Sequence, residues 1–178
     1  MVIDTQKIEA ARRGDKDSFA QMYEEIASDL YKVAYYTLGN THDAEDVVSE
    51  TFIEAFKGIT RLRDPGSFRP WMMKILSIRC KRKIAEYVRG KSVVDIESFM
   101  TTLSEDSDVA ADVSGQVTVT SAMARLNPQE RMIVVLSVLQ GYTNREIASI
   151  LGAPIGTVSS KLHRTFQKLR KMLDVPDE

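Results

Sequence analysis

The chain is poor in several residue types, and each scarcity excludes something. Its single cysteine, Cys80, cannot close an internal disulfide, so packing must hold the fold, and a lone thiol fits a reducing cytosol. No apolar run approaches the roughly 18 residues of a membrane span, so an embedded protein is not expected. The opening MVIDTQKIEAARRGD has no apolar stretch behind a basic one and does not read as a secretory signal. The expected location is the cytoplasm. The two histidines, His42 and His163, stand far apart with no cysteine or carboxylate set at ligand spacing, so no metal or other cofactor is expected. The nine glycines fall at turns and helix ends, and no nucleophile with a base or phosphate-cradling loop appears. Catalysis is not expected.

Net charge is scarce too, at −1, but the total conceals blocks. Residues 43–54 hold five acids and no base, whereas residues 69–91 hold eight Lys/Arg against the single acid Glu86. Residues 92–124 then contain six acids and no base, and residues 157–171 five Lys/Arg and no acid. Two basic blocks separated by acidic ones point to two nucleic-acid contact zones and a partner that prefers acidic surface. Solvated helix faces are the plainer alternative for any one block.

What is abundant is helical periodicity. Phe19, Met22, Tyr23, Ile26, Leu30, Val33 and Ala34 recur at steps of three and four, with Asp17 as expected N-cap and Gly39 as expected stop. A second helix is expected from about Asp43 to Lys57. Its inward face is Ala44, Val47, Val48, Thr51, Phe52, Ala55 and Phe56, and its outward face carries Glu45, Asp46, Ser49, Glu50, Glu54 and one aliphatic residue, Ile53. After the Asp64-Pro65-Gly66 turn, a basic helix should begin near Pro70. There Trp71, Ile75, Ile78 and Ile84 share a stripe, and Trp71 reads as core rather than a stacking platform. Residues 92–120 lose the periodicity and read as an acidic linker, within which Ile96, Phe99, Met100 and Leu103 could form a short docking helix.

The last segment is the most explicit. Asn127-Pro128-Gln129-Glu130 has the form of an N-cap, a first-turn proline and an N3 carboxylate, and the helix should run to Leu139 and stop at Gly141. Thr143-Asn144-Arg145-Glu146 is a capping box opening the short helix TNREIASIL. Gly152-Ala153-Pro154 turns into a third helix with Val158, Leu162, Phe166, Leu169 and Leu173 inward. Two helices joined by a short Gly-containing turn, the second basic and rich in small polar groups, form the helix-turn-helix pattern. Its first turns would meet base edges, while Lys168, Arg170 and Lys171 lie far enough along to meet phosphates.

The stretch from Leu126 to Leu173 closely resembles region 4 of extracytoplasmic-function sigma factors. Upstream, GDKDSFAQMYEEIASDLYKVAYY, DAEDVVSETFIEAF and SFRPWMMKI resemble region 2 in order and spacing. The resemblance implies an all-α protein of two small helical domains, region 2 over 1–91 and region 4 over 121–178, joined by a flexible linker over 92–120. It implies core RNA polymerase as partner, through its largest-subunit clamp helices and its flap, with Asp43, Asp46, Ser49, Glu50 and Ile53 facing it. It implies promoter DNA as the second partner. Arg61, Arg63, Phe68, Arg69, Lys74, Arg79, Arg82 and Lys83 would act in recognising and melting the −10 element. Thr157, Ser159, Ser160, Lys161, His163, Arg164 and Lys168 would read the −35 duplex. An anti-sigma factor is the expected third partner, with retention at the membrane if that partner is anchored there. The chain departs from the family pattern in three places: Ile78 and Arg82 stand where many members have Asn and Asp, Ser49 where Gln is frequent, and Pro154-Ile155 where Ser-Glu is common. These bear on the −10 preference, the polymerase-facing surface and the −35 contacts respectively. A stand-alone repressor or activator with dimerising N-terminal helices, or a sigma-like scaffold that has lost initiation, would share much of this pattern.

Overall fold

The computed structural model of the protein describes residues 4–90 and 119–173, and among these the regular elements are all helices. The first group comprises α1 (Thr5–Arg12), α2 (Lys16–Leu38), α3 (Thr41–Gly58) and α4 (Phe68–Gly90), with two single 3-10 turns, Ile59–Arg61 and Pro65–Ser67, between the last two. The second comprises α5 (Val119–Ala124), α6 (Pro128–Val138), α7 (Asn144–Leu151) and α8 (Ile155–Met172). Most of the expected linker lies outside the described residues, including the segment from Ile96 to Leu103, but Val119 and Thr120 already belong to α5.

Local chemistry explains most boundaries. The chain breaks at Gly14, whose φ of 99° suits glycine, and restarts at Asp15. Asp15, not Asp17, caps α2: its carboxylate accepts from the backbone N–H of Asp17 and Ser18, which puts Asp17 inside the first turn where the helix dipole favours an acid. Gly39 ends α2 in the left-handed conformation at φ 74°. Asn40 caps α3 by accepting from Asp43 N–H at 3.0 Å. Helix α4 starts two residues before Pro70, at Phe68, so the proline sits in its first turn, where a missing N–H costs no bond.

Helices α2, α3 and α4 pack on one another, and α1 leans on α2. Ile26, Leu30, Leu38, Met72, Met73 and Leu76 are fully buried; each such side chain contributes on the order of 1.5–3 kcal/mol of transfer free energy. Three expected inward residues lie elsewhere. Phe56 and Tyr23 are about half exposed, and Ile78 is 55% exposed, because Met72, Met73, Leu76 and Cys80 fill the buried face of α4. Trp71 is half-buried against Phe68 and closes over Gly58, where an added Cβ would come within 3.4 Å of its ring. In the second group α6 is buried nearly all round from Met132 to Leu136, and α7 and α8 pack on it and on each other.

The two groups are in contact: α2 lies against α6, and α4 against α7. No described helix is long and apolar enough to cross a membrane.

Candidate polymerase and nucleic-acid interfaces

The helix-turn-helix is built by its caps. Thr143 and Glu146 form a reciprocal box, with the Thr143 N–H donating to Glu146 at 2.8 Å and the Glu146 N–H donating to the Thr143 hydroxyl at 3.3 Å. The Thr143 N–H, together with the Thr143 hydroxyl, which donates to the same carboxylate oxygen at 2.7 Å, holds the Glu146 carboxyl below its usual range. Gly152, at φ 63°, ends α7 and Pro154 starts α8 without a side-chain cap. Ile147, Val158 and Leu162 are buried between the two helices and α6.

Along α8, Thr157, Ser160, His163, Arg164 and Lys168 are exposed, whereas Ser159 and Lys161 are half-buried. The Ser159 hydroxyl accepts from the Asn144 amide at 3.0 Å, which ties the first turn of α7 to α8. Lys161 donates to Gln129 at 2.8 Å, and Lys168 pairs with Glu130. Gln167 and His163 stand one turn apart at 3.1 Å. The strip left facing outward is therefore Thr157, Ser160, His163 and Arg164, with the cations of the last turns beyond it.

On α3 the outward strip is Glu45, Asp46, Ser49, Glu50, Ile53 and Glu54, with Ile53 57% exposed. Exposed Phe56 stands one turn from Ile53 and packs edge-on against Phe19 with centroids 5.1 Å apart; Tyr23 lies beside Phe52 at 4.1 Å. This apolar extension of the acidic face was not legible in the sequence, because both aromatics continue the inward stripes of their helices. Asp43 is not on this face. It is 7% exposed, pairs with Lys83 Nζ at 3.0 Å and accepts from the Tyr87 hydroxyl. It stands in the first turn of α3, after the Asn40 cap, and faces α4; burial together with this bond raises the Tyr87 pKa.

The basic helix divides into two sets. Arg79 lies between Glu50 and Glu54, donating to both, and the bond to Glu54 raises its pKa. Lys83 is held by Asp43 and, at 3.7 Å, by Asp46. These two cations therefore face the acids of α3. Lys74, exposed Ile78 and Arg82 form the outward strip, with Arg82 side by side with Glu86 at 3.5 Å. Arg61 and Arg63 are exposed on the preceding loop. Arg69 pairs with Asp29 at 2.5 Å. Phe68, expected at the DNA, is instead a core residue, 1% exposed, because the helix begins there and turns the ring inward. Cys80 is fully buried, which pushes its thiol pKa up to about 12 and leaves it unreactive.

A helical half with an acidic face and a basic strip, in contact with a capped helix-turn-helix, has the make-up of a DNA-binding protein. Residues 22–91 match the Sigma-70 region 2 family and residues 116–169 match Sigma-70, region 4. The ECF RNA polymerase sigma factor SigW of Bacillus subtilis is 30% identical over 94% of this chain and 95% of its own length. SigE of Mycolicibacterium smegmatis, also an ECF sigma factor, is 31% identical over 88% of this chain, which spans 62% of that longer protein. Among solved structures, CnrH in complex with the cytosolic domain of CnrY has the same fold at a TM-score of 0.69, with 21% identity over 98% of this chain and 99% of CnrH. The sigma factor RpoE in complex with the anti-sigma factor NepR from Bartonella quintana gives 0.70, with 23% identity over 89% and 98%. The chain belongs to the ECF RNA polymerase sigma factors.

Proposed function

We propose that the protein docks on core RNA polymerase through the exposed strip of α3, melts and holds the −10 element on the outward strip of α4 and its preceding loop, and reads the −35 duplex with α8. The observation that carries the reading is the separation of three chemically distinct strips on one chain: acidic with embedded apolar groups, basic beside a loop, and small polar on a capped helix-turn-helix. Asp46, Ser49, Glu50 and Ile53 would meet the clamp helices, while Asp43 positions Lys83 and Tyr87 behind them. Arg61, Arg63, Lys74 and Arg82 would track the single strand, and an electrostatic groove of that kind suits unstacked DNA. Arg69, Arg79 and Lys83 sit in ion pairs and would act by shaping the strip. Thr157, Ser160 and Arg164 would meet base edges and His163 and Lys168 phosphates, with Ser159 and Lys161 fixing the helix; each base-edge contact is worth about 1–3 kcal/mol of discrimination. Region 2 would take residues 1–91, the linker 92–120 and region 4 121–178, with α5 reaching two residues back into the linker span.

An anti-sigma factor would control it, a reading supported by the similar fold of RpoE in its complex with NepR. The expected site of action is the cytoplasm, with retention at a membrane if that partner is anchored there.

The test of the polymerase-facing assignment is co-purification with core polymerase. Asp46→Arg with Glu50→Arg should abolish it while the helical circular-dichroism signal is unchanged; undiminished co-purification would refute the docking surface.

A further inference from the structure

Helix α1 lies ahead of the stretch that matches region 2, which begins at residue 22. It has eight residues, fewer than the roughly 12–15 that an isolated helix needs to persist in water, so it is helical because its neighbours hold it. Ile8 and Ala11, one turn apart, are buried, and Lys7 pairs with Glu25 of α2 at 2.5 Å. Besides α2, α1 packs on both 3-10 turns of the loop that leads into α4.

That loop has two sides. Ile59 and Leu62 are buried, whereas Arg61 and Arg63 are exposed. Its hydrogen bonds are local: the Leu62 N–H donates to the Ile59 carbonyl at 3.0 Å, and the Asp64 carboxylate accepts from the Gly66 N–H at 3.0 Å and the Ser67 hydroxyl at 2.6 Å. Bonds of this kind fix the shape of each turn. Where the loop sits on the body is set instead by the packing of its buried side. Helices α3 and α4 touch the turns where the chain runs directly into them, but α1 reaches them from a distant part of the sequence. It is the wall against which the loop is placed. An arginine on a placed loop has its ordering cost met on folding and not on binding, which raises affinity for a strand without any new contact.

We propose that α1 is a positioning element for the −10 loop, with Ile8 as its anchor, and that docked α1 aims Arg61 and Arg63 at phosphates of the unstacked strand. The inference rests on the loop being part of the −10 surface. When α1 comes away, α2, α3 and α4 keep the core they share, so the polymerase-facing strip and the helix-turn-helix are spared and the loop alone loses its placement.

The test uses the full chain with core polymerase and a fork template, a −35 duplex continued as a single-stranded −10 segment from one of the organism's own promoters. Ile8→Ala should weaken fork binding about tenfold and make it less sensitive to salt. At about 0.7 per phosphate contact on single strands, losing two contacts lowers the slope of log affinity against log salt by about 1.4. Ile8→Val should restore both, while co-purification with core polymerase and binding to the −35 duplex alone stay as in the parent. Lys7→Glu, which sets two carboxylates against each other and opens no cavity, should give the same loss, and Lys7→Glu with Glu25→Lys should recover it at the parent's net charge. The proposal is overturned if Ile8→Ala or Lys7→Glu leaves the slope unchanged, or if the charge reversal recovers nothing. It is overturned equally if fork binding falls only in step with core co-purification, the mark of general unfolding. Arg61→Ala with Arg63→Ala separates the proposal from the reading beneath it. If that pair leaves fork binding intact, the loop does not hold the strand and both fall; if it weakens fork binding while the α1 variants do not, the proposal alone falls.

Discussion

Glu146 carries a pH dependence that can be worked out from its bonds. Its folded pKa is lowered from 4.5 by the Thr143 N–H and hydroxyl, so the stability it contributes is fully present above the unfolded value and is lost as pH falls through the lowered one. Asp15 and Asp64, lowered by their bonds to Ser18 and Ser67, titrate with the same sign. Glu146→Gln keeps an acceptor for the cap but not the charge. Thermal melts should therefore show the variant less stable than the parent near neutrality, with the gap closing as the pH falls below the ordinary glutamate value of 4.5 and through the lowered one; a gap that widens in acid would contradict the cap's ionic character. Gly156, in the first turn of α8, has open space around the position of an added Cβ and no positive φ. Gly156→Ala should raise stability by about 0.5 kcal/mol, visible as a higher melting temperature. Several residue roles were beyond the reach of sequence for a common reason. Phe68 and Asp43 were expected at ligands, but each lies at a helix start, where the direction of the first turn decides whether a side chain faces core or solvent. A shift of two residues in the start of α4, from Pro70 to Phe68, turns that ring inward.

At the scale of elements, the caps were the most legible features because they are local chemistry. Gly39, Gly152, the Asn127 box and the Thr143 box all lie where the sequence indicates. Asp15 and Asp17 show where that legibility ends: two acids two residues apart are both competent caps, and the positive φ of Gly14 is what makes the earlier one the boundary. Asn127→Ala removes an acceptor for the Glu130 N–H at 2.9 Å and should cost about 1 kcal/mol in chemical denaturation, with helix content of the folded state unchanged. The stripe of α4 was misread at Ile78 because three-and-four spacing fits two registers in a helix that is apolar on more than one side. Burial of Met72, Met73, Leu76 and Cys80 selects the other register and leaves Ile78 outward. That places it on the candidate −10 strip, at a position where the chain departs from its family's pattern.

For the molecule as a whole, the charge blocks visible in the sequence have a structural counterpart that the sequence does not reveal. The acidic block of α3 and the basic block of α4 answer each other through Arg79 and Lys83, leaving narrower outward strips than composition suggests. The contact between the halves was equally invisible, since Arg131 sits in an apolar run that reads simply as a core helix. Family membership accounts for the order of the parts, and the proposed function gives each part a surface. The central claim is that these surfaces act together to place core polymerase at promoters. Its most direct measurement is run-off transcription from the organism's own promoters with purified core polymerase and the purified protein. The account predicts transcripts of defined length that require the protein and fall when Lys161 and Arg164 are both changed to Ala. Core polymerase that yields no new transcript, with no co-purified protein, would contradict it.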